Sequence, residues 1–183
     1  MPDNRAESAE GRLTALEEQR LIKAAQEGCA DGARRLVETH QDRLHGFVWR
    51  MIRDEHDAEE ICQDAFLRAF AALGTFDVKY RFSTWLFTIA YRLCLNVIRR
   101  RREYVGDVDF DRFSGRSESS DVADAVANTE AAKLLRNSIW EAADRLSPPQ
   151  RATVLLCYRE TLKCQDIGTV VEMPAPTVTR QLH

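Results

Sequence analysis

The chain has 183 residues, enough for one ordinary domain or two small ones, and 44% of them are hydrophobic, which is material for real cores. Its formal charge of -3 and pI of about 5.9 argue against tight, unaided DNA binding, for which a basic balance is usual, but suit a protein that meets DNA within a larger machine. The start is polar, no stretch approaches the roughly 20 apolar residues of a membrane span, and Cys29, Cys62, Cys94, Cys157 and Cys164 are odd in number without CxxC spacing, so they read as reduced thiols of a cytoplasmic protein.

Residues 1–13 are polar and expected to fray. "TALE" at Thr14 to Glu17 has capping-box form and Gly28 is a natural stop, which predicts a short first helix. Asp31 is placed to cap a second helix, whose apolar set Leu36, Val37, Leu44, Phe47, Val48, Met51 and Ile52 has helical spacing. A third helix starts over Asp54 to Asp57, carries the stripe Ala58, Ile61, Cys62, Ala65, Phe66, Ala69, Phe70 and Leu73, and ends at Gly74. After the loop "TFDVKYRF", Ser83 is placed to cap a fourth helix that buries Leu86, Ile89, Ala90, Leu93 and Val97 and runs through Arg99 to Arg102.

From Val105 to Ala127 the composition changes. Six acids (Asp107, Asp109, Asp111, Glu118, Asp121, Asp124) stand against Arg112 and Arg116, a net of -4. With "SGRSESSD" among them, these residues read as a linker without its own core. As a flexible coil the linker would span about 25 to 29 Å.

Beyond it, one helix carries Leu134, Leu135, Ile139 and Trp140. The next opens at "LSPPQR", with Ser147 as N-cap and Pro148 at the first helical position, and runs to about Arg159. Two short segments, Gln165 to Val171 and Pro176 to His183, flank "EMPA" and suggest a helix-turn-helix. The expected fold is all-α: two small helical domains, 14–104 and 129–183, joined by a flexible acidic linker over 105–128, the second with the helix-turn-helix.

Two stretches carry chemistry. In the third helix Asp57, Glu60 and Asp64 lie at i, i+3 and i+7, flanked by Glu59 and Gln63. Such a ridge is either a solvated face or a docking face for a basic helix, where charge gives orientation and on-rate. In the following loop Phe76, Tyr80, Phe82 and Trp85 interleave with Lys79 and Arg81, the pairing of rings and cations that single-stranded bases need. Thr84, Thr88, Arg92, Asn96 and Arg99 or Arg100 continue as a polar stripe fit to follow a nucleic-acid backbone. Core packing would explain Phe82 and Trp85 as well, but four consecutive arginines exceed what capping a helix requires. His40, His45, His56 and Cys62 are too scattered for a zinc site, and no cofactor is expected.

"DAEEICQDAFLRAF" and "FSTWLFTIAYRLCLNVIRRRR" resemble the first conserved domain of bacterial extracytoplasmic-function sigma factors, and "LSPPQRATVLLCYRETL" and "DIGTVVEMPAPTVTRQLH" resemble the second. The resemblance covers roughly residues 30 to 102 and 130 to 183. It implies that Asp57, Glu59, Glu60, Gln63, Asp64 and Phe66 contact core RNA polymerase. It implies that the loop from Phe76 to Ser83, with Lys79, Tyr80 and Phe82, captures a flipped base of the minus-ten element. Trp85, Arg92, Asn96, Arg99 and Arg100 would then hold the melted strand, and Thr177, Thr179, Arg180, Gln181 and His183 would read the minus-thirty-five element.

The second domain departs from the family pattern. Glu172 stands where a glycine usually makes the turn, Pro176 replaces a glycine before Thr177, Lys163 replaces a capping serine, and Thr161 replaces a helix-ending glycine. The sequence also stops at His183, where the family continues with basic residues. A second domain of reduced stability or DNA competence is therefore expected.

The expected function is promoter recognition and melting as a dissociable polymerase subunit, with no catalytic residue and no small-molecule substrate. The expected partners are core RNA polymerase, promoter DNA and an anti-sigma factor, without membrane insertion. The rival is a degenerate sigma-like protein that binds polymerase without directing transcription.

Overall fold

The computed structural model describes residues 14–105 and 145–182, and among these all regular structure is helical. The helices are α1 (Ala15–Gln26), α2 (Ala30–Ile52), α3 (Glu55–Ala71), a 3-10 turn (Leu73–Thr75), α4 (Phe82–Val105), α5 (Pro148–Tyr158), α6 (Cys164–Val171) and α7 (Ala175–Leu182). The expected linker and the helix with Leu134 and Trp140 lie outside the described residues.

Local chemistry sets most boundaries. Thr14 accepts the Glu17 N–H at 3.3 Å and Glu17 accepts the Thr14 N–H at 2.9 Å, a reciprocal box that starts α1. Gly28, at φ 88, lets the chain turn into α2. Asp31 does not cap α2. The cap position is Cys29, without a side-chain hydrogen bond, and Asp31 lies in the first turn, paired with Arg34 at 3.1 Å. Asp54 caps α3 by accepting the Asp57 N–H at 2.9 Å. Helix α3 stops at Ala71, and Gly74 belongs to the 3-10 turn that follows. Helix α4 begins at Phe82, which places Ser83 inside its first turn rather than ahead of it. Pro148 opens α5 behind Ser147, whose hydroxyl donates to Gln150 Oε1 at 2.8 Å.

In the N-terminal unit α2, α3 and α4 pack mutually and α1 lies on α2. Leu36, Leu44, Phe47, Val48, Met51, Ala58, Ala65, Leu86 and Ala90 form its centre, with Phe47 and Phe87 edge to face at 5.3 Å. In the C-terminal unit α5, α6 and α7 close around Leu155, Leu156, Ile167, Val170 and Val178. The two units pack against each other, α6 on α4 and α5 on α2. Helix α4 is consequently buried over more than one stripe: Phe87, Tyr91, Cys94 and Ile98 are inside together with the expected Leu86, Ala90 and Leu93. Among the described residues no helix is long and apolar enough to cross a membrane.

Candidate nucleic-acid interface

The acidic ridge on α3 divides into two kinds of residue. Glu59, Glu60 and Gln63 are exposed. Asp57 is half-buried, its carboxylate held by Arg101 of α4, whose other nitrogen donates to the Ile52 carbonyl at 3.0 Å. Asp64 pairs with Arg68 one turn on, at 2.9 Å. Phe66 is buried and stacked on Phe70 at 6.2 Å, so it supports the ridge from beneath. Leu67 is 70% exposed, three residues after Asp64 and seven after Glu60, and so gives the acidic face an apolar patch. The helical spacing of Leu67 from the acids was the signal available in the sequence.

The loop ahead of α4 is shaped by its own backbone and by α1. Asp77 makes a tight turn, its carboxylate accepting the Lys79 N–H and its carbonyl the Tyr80 N–H, both at 3.0 Å. Gln19 and Gln26 of α1 donate side-chain amides to the carbonyls of Val78, Leu73 and Phe76. Phe76 stacks on Trp85 at 4.7 Å and both meet Phe82, which is fully buried. Ser83 is buried as well. What remains open is Lys79, Tyr80 and Arg81, with Tyr80 71% exposed and Lys79 Nζ 3.6 Å from the Asp77 carboxylate. A ring and two cations thus project from a turn whose base is fixed in the core.

The expected polar stripe on α4 is interrupted. Thr84 and Thr88 are buried, and Thr88 donates its hydroxyl back to the Thr84 carbonyl at 2.8 Å, so neither reaches a surface. Four-residue spacing kept them in line with Arg92 but could not show that the early turns of α4 are enclosed. Arg92, Asn96, Arg99 and Arg100 are exposed, and Arg99 donates to Asn96 Oδ1 at 3.3 Å. Successive arginines on a helix point about 100° apart. Arg101 therefore turns to α3 while Arg99 and Arg100 stay in solvent.

In the C-terminal unit Glu172 adopts φ 57 and Thr161 φ 52, the left-handed conformation that glycine takes without strain. Lys163 stands at the N-cap of α6 with no side-chain hydrogen bond. Gly168 is needed where it is, because a Cβ there would stand 2.6 Å from the Met173 carbonyl. Helix α7 starts at Ala175, and Thr177 gives its N–H to the Pro174 carbonyl at 2.9 Å, so Thr177 lies within the helix and does not cap it. Thr179 and Arg180 are exposed. Gln181 turns inward, its amide 3.3 Å from the Thr153 hydroxyl, which also donates to the Pro149 carbonyl at 2.9 Å, and 3.7 Å from Met173 Sδ. Val178 is buried and Leu182 packs on the core. His183 lies outside the described residues.

The two units are joined by polar contacts that sequence spacing could not reveal. Arg43 of α2 binds Glu160 with Nε and Nη2, both at 2.7 Å, and the Glu160 carboxylate is almost fully buried. Arg92 of α4 binds Glu172 at 2.8 and 2.7 Å. Burial, and secondarily the Glu172 carboxylate, push the Tyr91 hydroxyl up to about 12. An open cleft of about 650 Å³ lies at this seam, lined by Arg92, Asn96, Arg99, Arg102, Pro148 and Glu172. Among the described residues no three His, Cys, Asp or Glu side chains gather as a metal site.

Comparison with known proteins matches residues 36–104 to the model of Sigma-70 region 2. The chain is 31% identical over 166 residues to the ECF RNA polymerase sigma factor SigW of Bacillus subtilis, covering 88% of this chain and 89% of that one. It is 30% identical over 178 residues to the RNA polymerase sigma-H factor of Pseudomonas aeruginosa, covering 93% and 90%. Its fold is similar to that of CnrH, solved in complex with the cytosolic domain of CnrY, with a TM-score of 0.66 over 91% of this chain and 90% of that one at 19% identity. It is also similar to the sigma factor RpoE of Bartonella quintana, solved with the anti-sigma factor NepR, with a TM-score of 0.63 over 81% and 88% at 21% identity.

Proposed function

The chain belongs to the extracytoplasmic-function family of RNA polymerase sigma factors, and from that premise we propose how its surfaces divide the work. It acts with RNA polymerase in promoter recognition and transcription initiation. Sigma factors of this kind are non-enzymatic, and the residues considered above bind rather than catalyse.

The α3 ridge, with Glu59, Glu60 and Gln63 exposed, Asp64 partly exposed and Leu67 at its C-terminal end, docks on basic helices of core polymerase. Asp57 and Phe66 shape that face from within. Lys79 and Tyr80 receive a base of the minus-ten element. Phe76, Phe82, Ser83 and Trp85 form their rigid base. Arg92, Asn96, Arg99 and Arg100 follow the backbone of the melted strand. Thr179 and Arg180 read the minus-thirty-five element, with Thr177 in the first turn of α7 near the phosphates. Residues 14–104 and 129–183 are the two functional domains, and the acidic stretch 105–128 tethers them. An anti-sigma factor in the cytoplasm holds the free protein inactive.

The observation that carries this reading is the pair of exposed surfaces Lys79 and Tyr80 ahead of α4 and Arg92, Asn96, Arg99 and Arg100 further along it, together with the open acidic face of α3. The experiment is run-off transcription with purified core polymerase, on a promoter found by sequencing the DNA bound by the holoenzyme. A factor-dependent transcript is the expected result. Tight association with core without a transcript on any recovered DNA would favour a polymerase-binding protein that does not direct initiation.

A further inference from the structure

Helix α1 has no assigned part in the binding surfaces, yet two of its side chains hydrogen-bond to the base-receiving loop and the turn before it, and a third reaches it through α2. Gln26 Nε2 donates to the carbonyls of Leu73 at 2.9 Å and Phe76 at 3.1 Å, bridging the 3-10 turn and the first residue of the loop. Gln19 Nε2 donates to the Val78 carbonyl at 3.1 Å. Gln19 and Gln26 are seven residues apart and so share one face of α1, with the buried Ile22 between them. The third contact runs through His40, whose Nε2 lies 3.2 Å from the Glu18 carboxylate and whose ring leans on Phe82 at 5.4 Å.

These contacts act on the backbone of the turn itself, apart from the side chains that anchor it in the core. The carbonyls of Leu73, Phe76 and Val78 face α1, while the side chains that would meet DNA, Lys79 and Tyr80, leave the same turn on its open side. A loop of this kind loses conformational freedom when it captures a base, and fixing it beforehand lowers that cost.

We infer that α1 is the positioning element of the base-receiving loop, with Gln26 and Gln19 as its positioning residues. This rests on the assignment of Lys79 and Tyr80 to the minus-ten element. The two amides hold the turn around Asp77 in the shape that presents Tyr80 for stacking.

The test is a holoenzyme carrying Gln19→Leu and Gln26→Leu, which keeps α1 a good helix former. Promoter opening is timed by permanganate reactivity. Affinity is measured for minus-ten oligonucleotides with an abasic site at each position in turn. Opening is expected to slow about fivefold to tenfold, the scale of one to two lost net hydrogen bonds. Core affinity should stay at its wild-type value, the thermal midpoint should fall by no more than the lost hydrogen bonds account for, and the abasic penalty should shrink at a single position. Returning a donor with Gln26→Lys should recover part of the rate. An unchanged opening rate and abasic profile would overturn the inference. So would an equal loss of core affinity, midpoint and binding at every position, since that pattern means general destabilisation. Lys79→Ala with Tyr80→Ala serves as the parallel variant. If it opens promoters like wild type, the base-receiving assignment falls, and α1 has no such loop to position.

Discussion

Arg92 and Glu172, 80 residues apart in the chain, meet through two guanidinium nitrogens at 2.8 and 2.7 Å from one carboxylate oxygen. Glu172 makes this contact from a left-handed backbone, φ 57, at a turn that glycine would take without strain. The strain of that conformation is about 1 kcal/mol. The pair is exposed on both sides, so it returns about 0 to 1 kcal/mol. Glu172→Gly should therefore leave the urea midpoint near wild type. Its effect belongs on the DNA side: Arg92 is released and a negative charge leaves the cleft beside Arg99 and Arg102. The free protein should bind a single-stranded oligonucleotide about twofold to fivefold more tightly at low salt, as fluorescence anisotropy would read. Glu103→Gln removes an equal charge from exposed α4 without touching the pair. An equal gain from that variant would show that net charge alone is responsible.

Arg101 and Asp57 tie the end of α4 to the start of α3, and Arg101 also satisfies the Ile52 carbonyl near the end of α2. Arg101→Ala should cost about 1 to 2 kcal/mol in urea unfolding, because one side chain holds three helices together. Glu60→Lys with Leu67→Asp should give the opposite result. Both are exposed, so stability should move by about 0.5 kcal/mol or less, while association with core polymerase is lost. A core affinity that survives the Glu60 and Leu67 changes at moderate salt would remove α3 from the docking surface.

The helices were legible because their signals are local. Capping at Thr14, Asp54 and Ser147 and apolar spacing on α2 and α3 act within a few residues, and the structure follows them. The left-handed backbone at Thr161 and Glu172 was legible only through the resemblance, which implies glycine at both positions. Three things were not. Thr84 and Thr88 have the spacing of a surface stripe but lie inside, since the early turns of α4 are enclosed by distant parts of the chain. Gln181 has the chemistry of an adenine reader, yet Thr153 and Met173 hold it inward. The Arg43–Glu160 pair joins residues 117 positions apart, and no periodicity reports a contact of that range.

The strained positions of the C-terminal unit should respond to repair. Thr161→Gly removes a positive φ from a β-branched residue, and Lys163→Ser supplies the missing N-cap of α6. Each is expected to add about 1 kcal/mol, and because the sites are two residues apart their sum need not be additive. Differential scanning calorimetry of the full chain should show the midpoint rise. A lower midpoint for Lys163→Ser would mean that the lysine makes a contribution its missing cap conceals.

Buried acids of weak character set the alkaline limit of stability. Burial, and secondarily Glu59, push the Cys62 thiol up to about 12, and burial pushes the Cys94 thiol up further. The Tyr91 hydroxyl is raised to about 12 by burial and by Glu172. A group whose folded pKa exceeds its unfolded value holds its proton longer in the native state, so its stabilisation is complete below the unfolded pKa and is lost as pH rises through the folded one. Unfolded thiols ionise near about 8.5 and phenols near about 10. The urea midpoint should accordingly begin to fall near about pH 9 and continue to about pH 12. Cys62→Ala should make that fall shallower. An identical slope in the variant would assign the decline to other groups.

On α7 the two residues able to make bidentate base contacts behave differently. Arg180 is exposed in the last turn, beside exposed Thr179. Gln181 is partly buried, lies against the Thr153 hydroxyl and touches Met173, so it braces α7 against α5 and the turn. In the holoenzyme Arg180→Ala should relax preference at one base pair of the minus-thirty-five element by about 1 to 3 kcal/mol, with stability unchanged. Gln181→Ala should instead lower stability by about 1 kcal/mol and weaken all sequences alike. The readout is holoenzyme binding to a duplex library in which each base pair of the element is varied, paired with thermal melting of each variant. The two outcomes separate cleanly, because base readout changes one column of the specificity matrix and bracing changes none. A shift confined to one base pair in Gln181→Ala would return Gln181 to the reading surface and require its side chain to swing out of the position it holds here.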